Sequence, residues 1–262
     1  MSSSEGAALR SAWDVNHHYF FSYVSALQND LGPLRVLDFG CGQGSHVRLL
    51  RAAGVECVGA DVFYGGHDWD DPELAELLAA GIVHRIPYGG SLPFPDASFD
   101  VVFTDQVLEH VEDLAAVMKD LDRVLRRGGR MYHHFPTLET LREAHLGMPL
   151  LHRLPPGRAR WRYVLTLRRL GLGTYKDGLP AEEWTSRGLD WLDRYCHYRG
   201  VAEITAQLDP RYVIAHREID YCLFRAQDRA VLRRALAVRP LQGAYARLFR
   251  RLAFVAIEGR KL

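Results

Sequence analysis

The stretch "VLDFGCGQG", Val36 to Gly44, joins an apolar, strand-like run to three glycines at alternate positions, Gly40, Gly42 and Gly44. Glycines so spaced remove side chains where the backbone must turn tightly or approach a ligand. A helical pattern follows in "GSHVRLLRAAG", closed by Gly54, and then a second apolar run in "VECVGADV". A strand–loop–helix–strand unit of this kind confines the chain to folds in which parallel strands alternate with helices.

The alternation continues. "PELAELLAAG" predicts a helix ended by Gly81, "IVHRI" a short third strand, and "FDVVFTD" a fourth after the turn-rich "PYGGSLPFPDAS". Val107, Leu108, Val111, Leu114, Ala115, Met118, Leu121 and Leu125 keep helical spacing for about five turns. Arg126 and Arg127 suit the last turn of that helix, and Gly128-Gly129 suit its stop. "GRMYHHF" predicts a fifth strand. Upstream, residues 6–30 predict a helix with Leu9, Trp13, Phe20, Tyr23 and Leu27 inward.

The rhythm breaks at Pro136. Residues 138–200, rich in Arg, Trp, Tyr, Pro and Gly, predict an inserted helical lid. "AEITAQL" then predicts a helix, "RYVIAHREIDYCLF" a strand, and "LAFVAIEG" a final strand after a basic helical region. The expected fold is α/β, a doubly wound and mostly parallel sheet. Its expected parts are an N-terminal helical cap (1–30), the ligand-binding core (31–137), the lid (138–200) and the C-terminal part of the core (201–262).

Composition narrows the function classes. At 262 residues with 48% hydrophobic and 25% charged residues, the chain has the balance of a soluble globular enzyme. No apolar run approaches a membrane span, and the N-terminus lacks a secretion pattern, so a cytoplasmic setting is expected. Four scattered cysteines predict neither disulfides nor a metal site. The net charge of +1 hides +6 over residues 138–176 and +8 over residues 225–262, against −13 elsewhere. Such a basic side suits an anionic substrate or surface, though solvated helix faces explain it nearly as well. A pI near 7.8 and the lack of a recognition motif argue against nucleic acid. "RLFRRLAF" leaves peripheral membrane contact open.

Asp38 separates two kinds of nucleotide ligand. A dinucleotide loop needs Gly-x-Gly-x-x-Gly, but its third glycine place holds Ser45. A carboxylate just before the loop repels a pyrophosphate and suits an ammonium or sulfonium charge. Asp61, ending the second strand, can accept hydrogen bonds from ribose hydroxyls in either ligand. A nicotinamide-dependent oxidoreductase is therefore disfavoured.

These residues resemble the class I S-adenosylmethionine-dependent methyltransferases, in particular their small-molecule (type 11-like) group. "VLDFGCGQG" resembles the first motif, "GADV" the acidic second, "LPFPDASFDVVFTDQVLEHV" the segment through strand four, and "VLRRGGRMYHHFP" the junction into strand five. The resemblance implies a seven-stranded sheet whose final strand is antiparallel, and S-adenosylmethionine as cofactor. It implies Asp38 near the methionine amino end, the loop Gly40, Cys41, Gly42 and Gly44 against the ligand, and Asp61 on the ribose. It also implies Val62 or Phe63 flanking the adenine, with Asp105 and Gln106 near the transferable methyl group. Many relatives carry an acidic contact to the adenine amine after strand three. Here that stretch is "PYGGSLPF", leaving Tyr88, Ser91 or backbone in its place.

The expected reaction is methyl transfer to a small-molecule acceptor, an oxygen of a sugar, glycan precursor or natural product. "DQVL" after strand four lacks the proline turn and aromatic used on nucleobases and glutamine. No carboxylate cluster compels a metal. A hydroxyl acceptor needs a base, and the candidates are His110, His133, His134 and His145. Adjacent strand residues face opposite sides, so only one of His133 and His134 is expected in the pocket. In the lid, Arg158, Arg160 and Arg162 could grip an anion, while Trp161, Trp184 and Trp191 could stack on a ring. The rival reading is a catalytically silent S-adenosylmethionine-binding sensor or scaffold, separable by turnover alone.

Overall fold

The computed structural model describes residues 15–64, 71–208 and 210–262. The predicted start of the first helix, with Leu9 and Trp13, lies outside them. The elements run α1 (Val15–Leu31), β1 (Arg35–Phe39), α2 (Ser45–Ala52), β2 (Glu56–Asp61), α3 (Pro72–Ala79), β3 (Val83–Arg85) and β4 (Phe99–Asp105). They continue with α4 (Leu114–Val124), β5 (Leu125–Phe135), α5 (Arg158–Arg169), α6 (Ala181–Tyr195), α7 (Val201–Gln207) and β6 (Tyr212–His216). The last are α8 (Glu218–Arg225), α9 (Ala230–Leu236), α10 (Arg239–Leu252) and β7 (Val255–Lys261).

The seven strands form one sheet in the order β3-β2-β1-β4-β5-β7-β6. β1 to β5 pair in parallel, whereas β7 runs antiparallel to both β5 and β6. The order reverses beside β1, so the carboxyl ends of β1 and β4 border the crevice where such sheets take ligands. Alternate residues of one strand feed two apolar layers. Val36 of β1 packs in the layer holding Phe20 of α1, while Leu37 packs opposite with Leu121 of α4. Residues 146–192 contribute a third cluster, centred on Met148, Val164, Trp184 and Leu192.

Two predicted elements change shape. The helix expected from Val107 begins only at Leu114, after a 3-10 turn at Leu108–His110. Asp113 sets the start, its carboxylate accepting the Ala116 N–H at 2.9 Å. The expected five turns merged two separate apolar stretches of similar phase. Arg126 and Arg127 consequently lie in β5, where Arg126 pairs with Asp100, rather than in a helix end.

The predicted strand "RYVIAHREIDYCLF" splits at Arg217 into β6 and α8. Buried Glu218 opens the helix and meets Arg250 of α10 at 2.8 Å. Acidic residues in the first turn and Arg225 in the last complement the helix dipole. No described helix is long and apolar enough to cross a membrane.

Candidate active site

The glycine loop turns from β1 into α2 with Gly40, Gly42 and Gly44 at φ of +79°, +50° and +76°. A Cβ on Gly40 would lie 2.3 Å from Val107, so that position is fixed by packing. A Cβ on Gly42 would meet nothing within 4 Å and would enter the open cavity. Asp61 ties β2 to this loop: its Oδ2 accepts the Gly42 N–H at 2.8 Å and its Oδ1 the Phe63 N–H at 2.6 Å.

Beneath the loop, Asp38 is 1% exposed and its Oδ2 has no hydrogen-bond partner among the described residues. Burial, with Asp105 and Asp61 nearby, pushes its carboxyl well above the usual carboxylate range. His46, in the first turn of α2, stands between two of these acids, with 3.8 Å from Nδ1 to Asp38 and from Nε2 to Asp105. Asn16 of α1 donates to Asp105 at 3.0 Å and accepts from Tyr221 at 2.7 Å. The end of the sheet therefore gathers negative charge under a loop of backbone N–H groups.

A cavity of about 1760 Å³ opens above it. Gly40, Cys41, Gly42, Asp61, Val62 and Gln106 line it, together with Tyr88 and Ser91 in the stretch that replaces the acidic adenine contact. Gln106 holds φ +58° for a non-glycine residue, its N–H bonded to the His134 carbonyl at 2.8 Å. Asp38, Gly44 and Asp105 lie behind the lining, and Phe63 is buried under the Arg85 guanidinium at 4.6 Å.

The far end of the cavity is walled by His110, His145, Trp191 and Tyr195. His110 Nδ1 lies 2.7 Å from the Tyr195 carbonyl. Glu143, fully buried, accepts the backbone N–H groups of His145 and Leu146 and the Tyr198 hydroxyl at 2.6 Å. Its Oε1 is also 2.9 Å from His145 Nδ1. Burial alone would raise the Glu143 carboxyl, but the bonds from His145 and Tyr198 prevail and hold it below the ordinary value. Glu109, by contrast, is pushed well up by burial.

Several predicted site residues do not reach this cavity. His133 and His134 both stay outside it, against the expectation that one would enter. β5 is covered on both faces: His133 is bonded to Thr104 at 2.9 Å, and His134 packs among Tyr19, Phe20 and Phe254. Burial lowers their pKa values to about 4 and about 3, keeping both neutral. The lid residues Arg158, Arg160 and Trp161 also stand away from it. Arg158 is exposed, Arg160 is buried against Asp193, and Trp161 donates to Ser186 at 3.0 Å. Packing between lid helices α5 and α6 uses up Arg160 and Trp161. Sequence reasoning missed His17, His46, Glu143 and Cys196, which lie far apart in the chain and carry no motif of their own.

The sheet reversed beside β1, its antiparallel β7, the glycine loop and the acidic β2 end give a Rossmann-like methyltransferase fold with its nucleotide crevice. Residues 37–133 match the family model described as a methyltransferase domain. The chain is 32% identical over 157 residues to a ubiquinone biosynthesis O-methyltransferase of Parvibaculum lavamentivorans, covering 58% of this chain and 61% of that protein. It is 31% identical over 142 residues to an O-methyltransferase of Aspergillus sclerotiorum, covering 51% and 52%. The solved S-adenosylmethionine-dependent methyltransferase of Mesorhizobium loti superposes with a TM-score of 0.50 at 20% identity, covering 99% of each chain. Over residues 37–133 the chain is similar to a methyltransferase domain, and its fold is that of the solved methyltransferase. It spans between half and two thirds of the length of these two curated relatives.

The site fits S-adenosylmethionine, the cofactor that the sequence motifs imply. The Oδ2 of Asp38, with no hydrogen-bond partner among the described residues, and the acidic cluster suit a sulfonium ligand with an ammonium group. The open Cα face of Gly42 leaves room for the ligand, and Asp61 stands where ribose hydroxyls would bind.

Proposed function

We propose that the chain moves the methyl group of S-adenosylmethionine onto an oxygen of a small molecule, such as a sugar, glycan precursor or natural product. One observation carries this reading: a single cavity runs from the acidic glycine loop to an aromatic, histidine-lined end. Its volume of about 1760 Å³ exceeds the roughly 300–1,000 Å³ usual for one small ligand, which leaves room for cofactor and acceptor together. The O-methyltransferases among the relatives support an oxygen acceptor.

With cofactor over Gly42 and Asp61, the methyl group would point along the cavity past Gln106. The acceptor would lie against Trp191 and Tyr195, its hydroxyl toward His110 and His145. Bound S-adenosylmethionine would supply the methyl group to the acceptor oxygen, and His110 or His145 would take the hydroxyl proton. Holding both partners in line is the main work asked of the protein. Residues 138–200 would act as the lid that excludes water from this step.

Calorimetric titration with S-adenosylmethionine and with NAD, on wild type and Asp61→Ala, tests the cofactor. A panel of hydroxylated acceptors, followed by mass spectrometry for one added methyl group, tests the reaction. Binding of S-adenosylmethionine alone, weakened by the substitution, with turnover of a hydroxyl acceptor, is the expected result. No binding to folded protein overturns the reading, and binding without any turnover would leave a silent sensor.

A further inference from the structure

We propose that His110, His145 and Cys196 form a binding site for one Zn²⁺-class cation at the acceptor end of the cavity. The three residues come from the 3-10 turn after β4, the segment after β5 and the end of α6, so the fold alone brings them together. Their donor atoms all lie within 4.8 Å of one another. Cys196 Sγ is 3.7 Å from His110 Nδ1 and 3.7 Å from His145 Nδ1. A sulfur at about 2.3 Å and a nitrogen at about 2.0 Å from one tetrahedral zinc stand about 3.5 Å apart. The observed spacing therefore matches ligands shared by one ion.

The surroundings match as well. Glu143 Oε1, 2.9 Å from His145 Nδ1, puts a carboxylate beside the three donors. Glu109 is 2% exposed, neither of its carboxylate oxygens has a hydrogen-bond partner among the described residues, and one is 4.0 Å from His110 Nε2. His110 Nδ1 faces the Tyr195 carbonyl at 2.7 Å, and His145 Nδ1 faces Glu143 Oε1 and the Tyr198 hydroxyl, both at 2.9 Å; a bound cation would replace these contacts. Mixed nitrogen and sulfur donors select zinc over magnesium or calcium, which prefer oxygen alone.

His110 and His145 also line the cavity, so an ion they hold would border the space assigned above to the acceptor. A cation there would take the acceptor oxygen and favour loss of its proton to solvent. That role rests on the proposed methyl transfer, but the existence of the site does not.

The test is titration of the chelator-treated full chain with Co²⁺, read by its visible spectrum, followed by displacement with Zn²⁺. One ion per chain, with a thiolate-to-cobalt charge-transfer band, is expected. The band should vanish in Cys196→Ser, persist in Cys222→Ser, and affinity should fall at least tenfold in His145→Gln. An equal band in Cys196→Ser, or no stoichiometric binding to wild type, would overturn the site. Melting curves and S-adenosylmethionine titrations on each variant separate outcomes. Unchanged cofactor binding by Cys196→Ser marks a metal effect, and cofactor failure with intact metal binding sinks only the proposed reaction.

Discussion

Asp38 and His46 face each other at 3.8 Å beneath the glycine loop, and both are at most 7% exposed. Asp105 lies as close to the other nitrogen of the same ring. Burial and two neighbouring acids thus push the Asp38 carboxyl well above its usual range. A bound ammonium or sulfonium favours the ionised form, so binding and deprotonation of Asp38 are linked.

The sign follows directly. The free protein holds the Asp38 proton to a higher pH than the complex does, so binding releases protons and strengthens as pH rises through that interval. Calorimetry of S-adenosylmethionine binding in buffers of different ionisation enthalpy should show this release. Asp38→Asn should remove it and weaken binding roughly 10- to 100-fold, the loss of one charge-assisted hydrogen bond. Equal proton release by the variant would assign the effect elsewhere.

His133 and His134 make the fold acid-sensitive. Their pKa values fall from 6.5 to about 4 and about 3 because burial opposes the charged ring. Above pH 6.5 both states of the chain hold them neutral, and their contribution is fully present. Below it the unfolded chain binds protons that the folded chain refuses, so stability falls as pH drops from 6.5 toward 4 and 3. Each ring contributes up to about 1.4 kcal/mol of loss per pH unit. Denaturant melts between pH 4 and 7 should show the slope, and His134→Phe should flatten it by about one proton's worth.

Gly59 lies in β2 directly under the loop. A Cβ there would stand 2.6 Å from Cys41 Sγ and 2.9 Å from Cys41 Cβ. Gly59→Ala should therefore displace the loop, costing about 1–3 kcal/mol of stability and a clear loss of S-adenosylmethionine affinity. Gly54→Ala is the contrast: its φ is +83° with nothing within 4 Å. It should cost about 1 kcal/mol of backbone strain and leave affinity unchanged. Thermal melts with parallel ligand titrations distinguish the two.

Arg160 is a structural residue of the lid. Its guanidinium is 6% exposed and pairs with Asp193, itself 43% exposed. Arg160→Ala should lower stability by about 1–2 kcal/mol, discounted for the solvated partner, whereas exposed Arg158→Ala should be neutral. On the proposed reaction, neither should change KM for an anionic acceptor by the large factor expected of a phosphate or carboxylate grip. A KM rise with unchanged melting in Arg160→Ala would restore it to substrate binding.

The strand–helix alternation through β5, the glycine loop and the Asp61 strand end were legible from the chain alone. Local period, turn residues and spacing encode them, and these signals need no distant partner. Other features were decided by tertiary packing. The run from Val107 to Leu125 has one hydrophobic phase, yet the extended Val111 and the Asp113 cap divide it, with His110 aimed at the far end of the cavity. His133 and His134 sit at a strand end that suggests a pocket, but helices cover both faces of β5. Arg160 and Trp161 carry the chemistry of substrate contacts, and Asp193 and Ser186 take them up instead. Cys196 gained its two histidine neighbours from segments 86 and 51 residues away. Sequence fixes what repeats at short range, whereas which polar side chains share one space depends on how the completed layers close over the sheet.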